Sequence, residues 1–193
     1  MKKYLLLILA FSCSIIFVQA QDKATKGNAL VNKFHSFNTV QLLNGNTTTS
    51  LAINTVNGFQ FGKLFTGIGT GFDYYYHTSV PLFLEARFNL IDRKNKLQLF
   101  SNGGLSFPFS TQNKKFEYNA GPYKTGSTYG AGLDYLITVG NQAFILGVAF
   151  SNKQVIQMVN NYLWNPLLNK WENIPTKDIY SFNRIAIRLG WMF

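Results

Sequence analysis

The sequence predicts an all-β fold, an eight-stranded antiparallel up-and-down transmembrane β-barrel, and three observations carry that reading. Apolar and polar residues alternate with period two in about eight separate stretches, the mark of strands whose two faces meet unlike surroundings. Aromatic residues make up 16% of the chain and charged residues only 13%, a poor supply of charge for a domain wetted on every side. Within the alternating stretches the charges sit opposite the apolar face, among glycines and amides. A closed barrel satisfies every backbone group inside lipid, which an open sheet cannot.

Ahead of the strands, Lys2 and Lys3 precede the apolar run "YLLLILAFSCSIIFV", and "VQA" has the small-residue pattern of a cleavage site. Residues 1–20 therefore read as a cleaved secretory signal peptide, leaving 21–193 as one barrel domain. Cys13 is the single cysteine and falls in that leader, so disulfides, zinc–cysteine sites and thiol catalysis are not expected in the mature chain. After residue 20 there is no run of 18 consecutive apolar residues, the pattern of a spanning helix.

"FHSFNTVQLL" (34–43) is the first and weakest strand candidate. "LAINTVNGFQF" (51–61) sets Leu51, Ile53, Phe59 and Phe61 against Asn54, Gly58 and Gln60. "LFTGIGTGFDYYY" (64–76) sets Leu64, Ile68, Phe72 and Tyr74 against Gly67, Gly69, Gly71 and Asp73. "VPLFLEARFNL" (80–90) sets Leu82, Leu84 and Phe88 against Glu85, Arg87 and Asn89. "LQLFSNGGLSFPF" (97–109) and "TYGAGLDYLITV" (128–139) continue the pattern, the latter with Asp134 opposite Leu133 and Tyr135. "AFILGVAFSNKQVIQM" (143–158) is a seventh, and "IYSFNRIAIRLGWMF" (179–193) an eighth.

The connections alternate in length. Gly62-Lys63, 91–96 and 140–142 are brief, whereas 44–50 and 77–79 are longer and 110–126 and 159–178 are long loops. An even strand count with short turns at one end and longer loops at the other is the asymmetry of outer-membrane barrels.

A soluble ligand-binding barrel would turn its charges outward. A membrane barrel buries them, since Arg on the lipid face near the midplane costs about 2–4 kcal/mol. Asp73, Glu85, Arg87, Asp134, Arg184 and Arg188 are therefore expected to form an interior charge network, equal in acids and bases. Eight strands enclose only enough room for side chains, so a polar plug is expected, with glycines 67, 69, 71, 130 and 132 making space for Arg and Glu. Tyr74, Tyr75, Tyr76, Trp191 and Phe193 lie near strand ends, as an aromatic girdle would.

Three elements resemble one family: "G-I-G-x-G-x-D-Y-Y" (67–75), "P-L-F-L-E-x-R" (81–87) and "N-R-I-x-I-R-L-G-W-x-F" (183–193). Together they are similar to the small outer-membrane β-barrel proteins widespread in Bacteroidota, over nearly the whole mature chain. The resemblance implies an outer-membrane location in a Gram-negative bacterium and mostly no assigned activity. It also implies that Leu189, Gly190, Trp191 and Phe193 form a C-terminal signal read by the barrel-assembly machinery.

Chemistry is sparse. His35 and His77 are the only histidines, and no metal, cofactor or catalytic residue is expected. His77, Ser79 and Glu85 share a parity and could suit ester hydrolysis of a lipid, but the carboxylate lies roughly 20 Å along an extended strand. The dispersed lysines of an exported chain do not suggest nucleic-acid binding. The long loops are expected to carry Lys114, Lys115, Lys124, Lys170 and Lys177, with Phe116, Tyr118, Tyr123, Trp164 and Trp171, which would offer contacts to lipopolysaccharide phosphates, a protein partner or a host surface. A structural or interaction barrel is the leading reading; a narrow channel, a lipid-modifying enzyme and a soluble ligand-binding barrel are its alternatives.

Overall fold

The computed structural model describes residues 33–109, 120–166 and 169–193. The expected leader, Cys13, Lys114, Lys115, Phe116 and Tyr118 lie outside those residues. The strands are β1 (Lys33–Gly45), β2 (Thr49–Phe61), β3 (Leu64–Asp73), β4 (Ser79–Asp92), β5 (Lys96–Pro108), β6 (Ala120–Lys124), β7 (Gly126–Val139), β8 (Gln142–Asn165) and β9 (Lys170–Met192). All pairings are antiparallel. The order runs β1-β2-β3-β4-β5-β7-β8-β9, and β9 returns to β1 to close a ring of eight. β6 is the same wall strand as β7 resumed past Thr125, because both pair with β8 in sequence, Lys124 opposite Ile156 and Thr128 opposite Lys153.

Local chemistry sets the two ends. Gly62 and Gly140 each open a two-residue turn with φ of 59° and 63°, the left-handed geometry that a II′ hairpin places on glycine. These turns, with residues 93–95, lie at the end where Lys33 and Met192 also lie. Other connections, including 46–48 and 74–78, occupy the opposite end.

One expected loop is not a loop. Residues 159–178 belong largely to β8 and β9, which pair without a register shift from Ala143–Met192 up to Asn165–Lys170. Trp164, Lys170, Trp171 and Lys177 are thus ribbon residues, and Tyr123 and Lys124 belong to β6. Cross-strand bonds brace the ribbon: Asn161 Nδ2 donates to Thr176 Oγ1 at 2.9 Å, and the Trp164 and Trp171 rings meet edge to face at 5.6 Å.

β1 leaves β9 at the Gly45–Arg184 pair, so above Arg184 β9 has no strand on that side among the described residues. Phe193 N donates to Ser36 O at 3.1 Å, which aims the odd residues of β9 at β1 in the barrel wall. Carried along the unbroken register, the alternation points Pro175, which has no N–H, toward the open edge.

The exterior is apolar all round the ring. Leu84 is 67% exposed and Ile185 66%, and Leu51, Ile53, Phe72, Phe88, Leu99, Leu133, Phe144 and Leu189 share that face. Polar residues interrupt it, among them Asn57, Thr66, Thr70 and Ser101, and Asn38 and Thr55, where the Thr55 hydroxyl donates to Asn38 Oδ1 at 2.8 Å. Inside, two apolar clusters pack at different heights. Phe37, Val56, Phe65, Phe83, Leu136, Ala143 and Ile145 form one with Met192; Leu43, Ala52, Tyr75 and Ala186 form the other.

Candidate functional site

Pairing register assembles the lower ionic group. Gln41, Arg188, Gly147, Asp134, Gln98 and Asn89 follow one another across neighbouring strands in a single cross-strand row. Arg87 reaches into that row from β4. Its Nε donates to Glu85 Oε1 at 2.7 Å and its Nη1 to Asp134 Oδ2 at 2.8 Å. Its guanidinium lies 3.9 Å from the Phe37 ring centroid. Asn102 Nδ2 donates to the second Glu85 oxygen at 3.1 Å, and Gln98 Nε2 to Asn89 Oδ1 at 2.7 Å. Arg188 Nε stands 3.5 Å from Asp134 Oδ1, over the face of Phe100.

The upper group centres on Asp73 at the end of β3. Arg184 Nη1 donates to its Oδ2 at 2.6 Å, and Lys153 Nζ to its Oδ1 at 3.3 Å. Lys153 also donates to the carbonyls of Tyr75 and His77, at 2.9 and 2.8 Å, and so ties the β3–β4 connection to β8. All six expected charges are buried, but they fall into two groups with no ion pair joining them among the described residues.

Lys153 is the member that the sequence reading missed. The signal was there: in "AFILGVAFSNK" it shares parity with Ala143, Gly147, Ala149 and Ser151, opposite Phe144, Leu146, Val148 and Phe150. Its presence changes the balance. The described interior holds Arg87, Lys153, Arg184 and Arg188 against Asp73, Glu85 and Asp134, four bases and three acids.

Three further expectations are corrected. The plug is not uniformly polar: Phe37, Phe65, Phe83 and Phe100 fill much of it, and Arg87 and Arg188 stack on their rings. The β3 glycines do not make room for Arg or Glu: a Cβ at Gly67 would press on the Phe65 ring and one at Gly69 on the Phe83 ring, while one at Gly71 would meet Asn54 and the Ile53 carbonyl. Tyr75 is not a girdle residue. It is fully buried, accepts a hydrogen bond from Thr47 N at its hydroxyl, and packs on Phe182. Tyr74 does face outward, stacked on Phe72.

The glycine that serves the charges is Gly147, between Arg188 and Asp134 in the row, where a Cβ would collide with Asp134 Oδ1. Gly147→Val should cost about 1–3 kcal/mol through overpacking. Urea unfolding in detergent micelles measures it, with Gly103→Val, at an open position, as the control.

The residues of the ester-hydrolysis constellation are engaged elsewhere. Ser106 Oγ donates to Ser79 Oγ at 2.8 Å, Glu85 is held by Arg87 and Asn102, and the His77 ring stacks on Tyr123. Leu189 and Trp191 lie on the outward face of the last strand, and Gly190 packs its backbone against Asn38 and Thr39.

No protein-family model matches the chain, and no curated protein matches it. Among solved structures the chain is similar to the outer membrane protein AlkL, determined by solid-state NMR in DMPC lipid bilayers. The two are 10% identical, with a TM-score of 0.49, over 89% of this chain and 93% of that chain.

Proposed function

We propose that this chain is an integral outer-membrane barrel with a side-chain-filled interior, acting structurally or by interaction through its β8–β9 ribbon and the connections at that end. The supporting observation is the inversion of its faces. Seven charged side chains are buried in ion pairs, while a belt rich in Leu, Ile and Phe faces outward. In water that arrangement leaves an apolar surface far beyond the patches that soluble monomers carry; in lipid it is the low-energy one. Lipid and lipopolysaccharide are then its surroundings, and the barrel-assembly machinery places it there. In this reading the chain is kin to the small barrels of Bacteroidota and carries no enzyme activity.

The phenylalanine cluster and the Arg87 group favour a structural role over a narrow channel, since both block the bore. Native-level expression should put the protein in the outer-membrane fraction, released only by detergent, and purified barrel should give no steady conductance in planar bilayers. Recovery in the soluble periplasm would favour the soluble ligand-binding barrel. Replacing Asn160–Pro175 by a two-residue turn should leave the heat-modifiable barrel intact but abolish co-purification of any partner held by the ribbon.

A further inference from the structure

We propose that the cavity between the two ionic groups is a binding site for one small monovalent anion, chloride. The cavity measures about 40 Å³ and its polar lining includes Gln41, Asn54, Asp73, Asn102, Arg184 and Arg188. A water needs roughly 10–15 Å³ of such space, so a chloride ion and one or two waters fit.

Two independent observations point to an anion. The first is net charge. The lower group balances, with Arg87 and Arg188 against Glu85 and Asp134, whereas the upper group sets Lys153 and Arg184 against Asp73 alone. One positive charge is left over, shared between Lys153 and Arg184 around the one carboxylate, and Arg184 lines the cavity. An uncompensated charge in a low-dielectric interior is costly, and a monovalent anion cancels it.

The second is donor supply. Arg184 and Arg188 are 3% and 2% exposed; Arg184 Nε has no hydrogen-bond partner, and Arg188 Nε has only the ion pair to Asp134 Oδ1 at 3.5 Å. Charged donors left unmade in this way are rare. Asp73 also lines the cavity, but both its oxygens are engaged, Oδ1 by Tyr75 N and Lys153 and Oδ2 by Arg184. Asn54 Oδ1 lacks a partner in the present amide orientation; turning the amide offers its NH₂ to the ion. The site uses only the barrel interior, so it stands apart from the question of membrane location.

The test compares thermal unfolding of detergent-solubilised barrel in sodium chloride and sodium gluconate at equal ionic strength. Chloride should raise the midpoint by roughly a few degrees per tenfold increase above its dissociation constant, and bromide should replace it. Crystals grown in bromide should give an anomalous peak in this cavity, within hydrogen-bond reach of Arg184 Nε. Lys153→Met removes the surplus charge and should abolish the chloride response, which Lys124→Met should keep. If Lys153→Met does not fold, the bromide position in the wild type decides alone. Equal midpoints in the two salts, bromide peaks only on the outer surface, or an unchanged chloride response in Lys153→Met would each overturn the proposal.

Discussion

Replacing Arg87 by leucine is expected to cost the barrel about 3–5 kcal/mol, the penalty for breaking a buried ion pair from one side. Arg87 holds two carboxylates at once, at 2.7 and 2.8 Å, with none of its side chain exposed. Without it Glu85 retains Asn102 Nδ2, and Asp134 is left with Arg188 at 3.5 Å, an approach that makes no hydrogen bond. The stacking on Phe37 is lost as well. Urea midpoints in micelles, or the temperature at which the folded band disappears on gels, give the measurement. Lys124→Leu, at an exposed position on β6, should change little. Adding Glu85→Gln to Arg87→Leu should recover part of the loss, because one of the stranded charges is then gone. Equal behaviour of Arg87→Leu and Lys124→Leu would mean that Arg87 is solvated.

Proline at Leu189 is expected to prevent formation of the barrel, while proline at Lys177 is tolerated. The two positions have the same parity on β9, so both N–H groups point away from β8. At Leu189 that direction is the seam, with Val40 of β1 directly opposite. At Lys177 it is the open edge, where Pro175 already stands. A seam carbonyl left without a donor inside lipid costs several kcal/mol, and the proline ring also spoils the approach of β1. Val40→Pro tests the same seam from the other strand, outside the C-terminal segment. It thereby separates pairing from the proposed recognition of Leu189, Gly190, Trp191 and Phe193 during assembly. Removing Phe193 should act in the same direction, since it exchanges both backbone hydrogen bonds with Ser36. The yield of heat-modifiable barrel measures all four; normal yield from Leu189→Pro and Val40→Pro would mean that the ring does not close through β1 and β9.

The wall strands were legible because period two is strong wherever lipid-type and interior-type residues alternate, as in Leu82 to Leu90. Even the weakest candidate, Phe34 to Leu43, lies within β1. The β8–β9 ribbon was not legible. Its sequence, "NNYLWNPLLNKWENIPTKD", is rich in Asn and Pro, which favour turns, and only the partner strand supplies the ladder that holds it extended. Tyr75 was misplaced by treating three tyrosines as one belt, although alternation sends the middle one inward. Which charges share a partner depends on pairing register, which strand periodicity leaves open, so the six charges could be placed inside but not divided into two groups.

The unbroken β8–β9 ladder has a kinetic consequence. Its two strands are joined by residues 166–169, so it can zip from a short loop. The seam between β1 and β9 instead brings together Gly45 and Arg184, 139 positions apart (184 − 45). In an otherwise unfolded chain the longer closure costs about 3 kcal/mol more in chain entropy. Local hairpins form in microseconds, whereas distant pairings wait on the rest of the topology. The last strand is thus held extended by its neighbour before its other edge is needed. Ring closure becomes the docking of β1 onto a prepared edge.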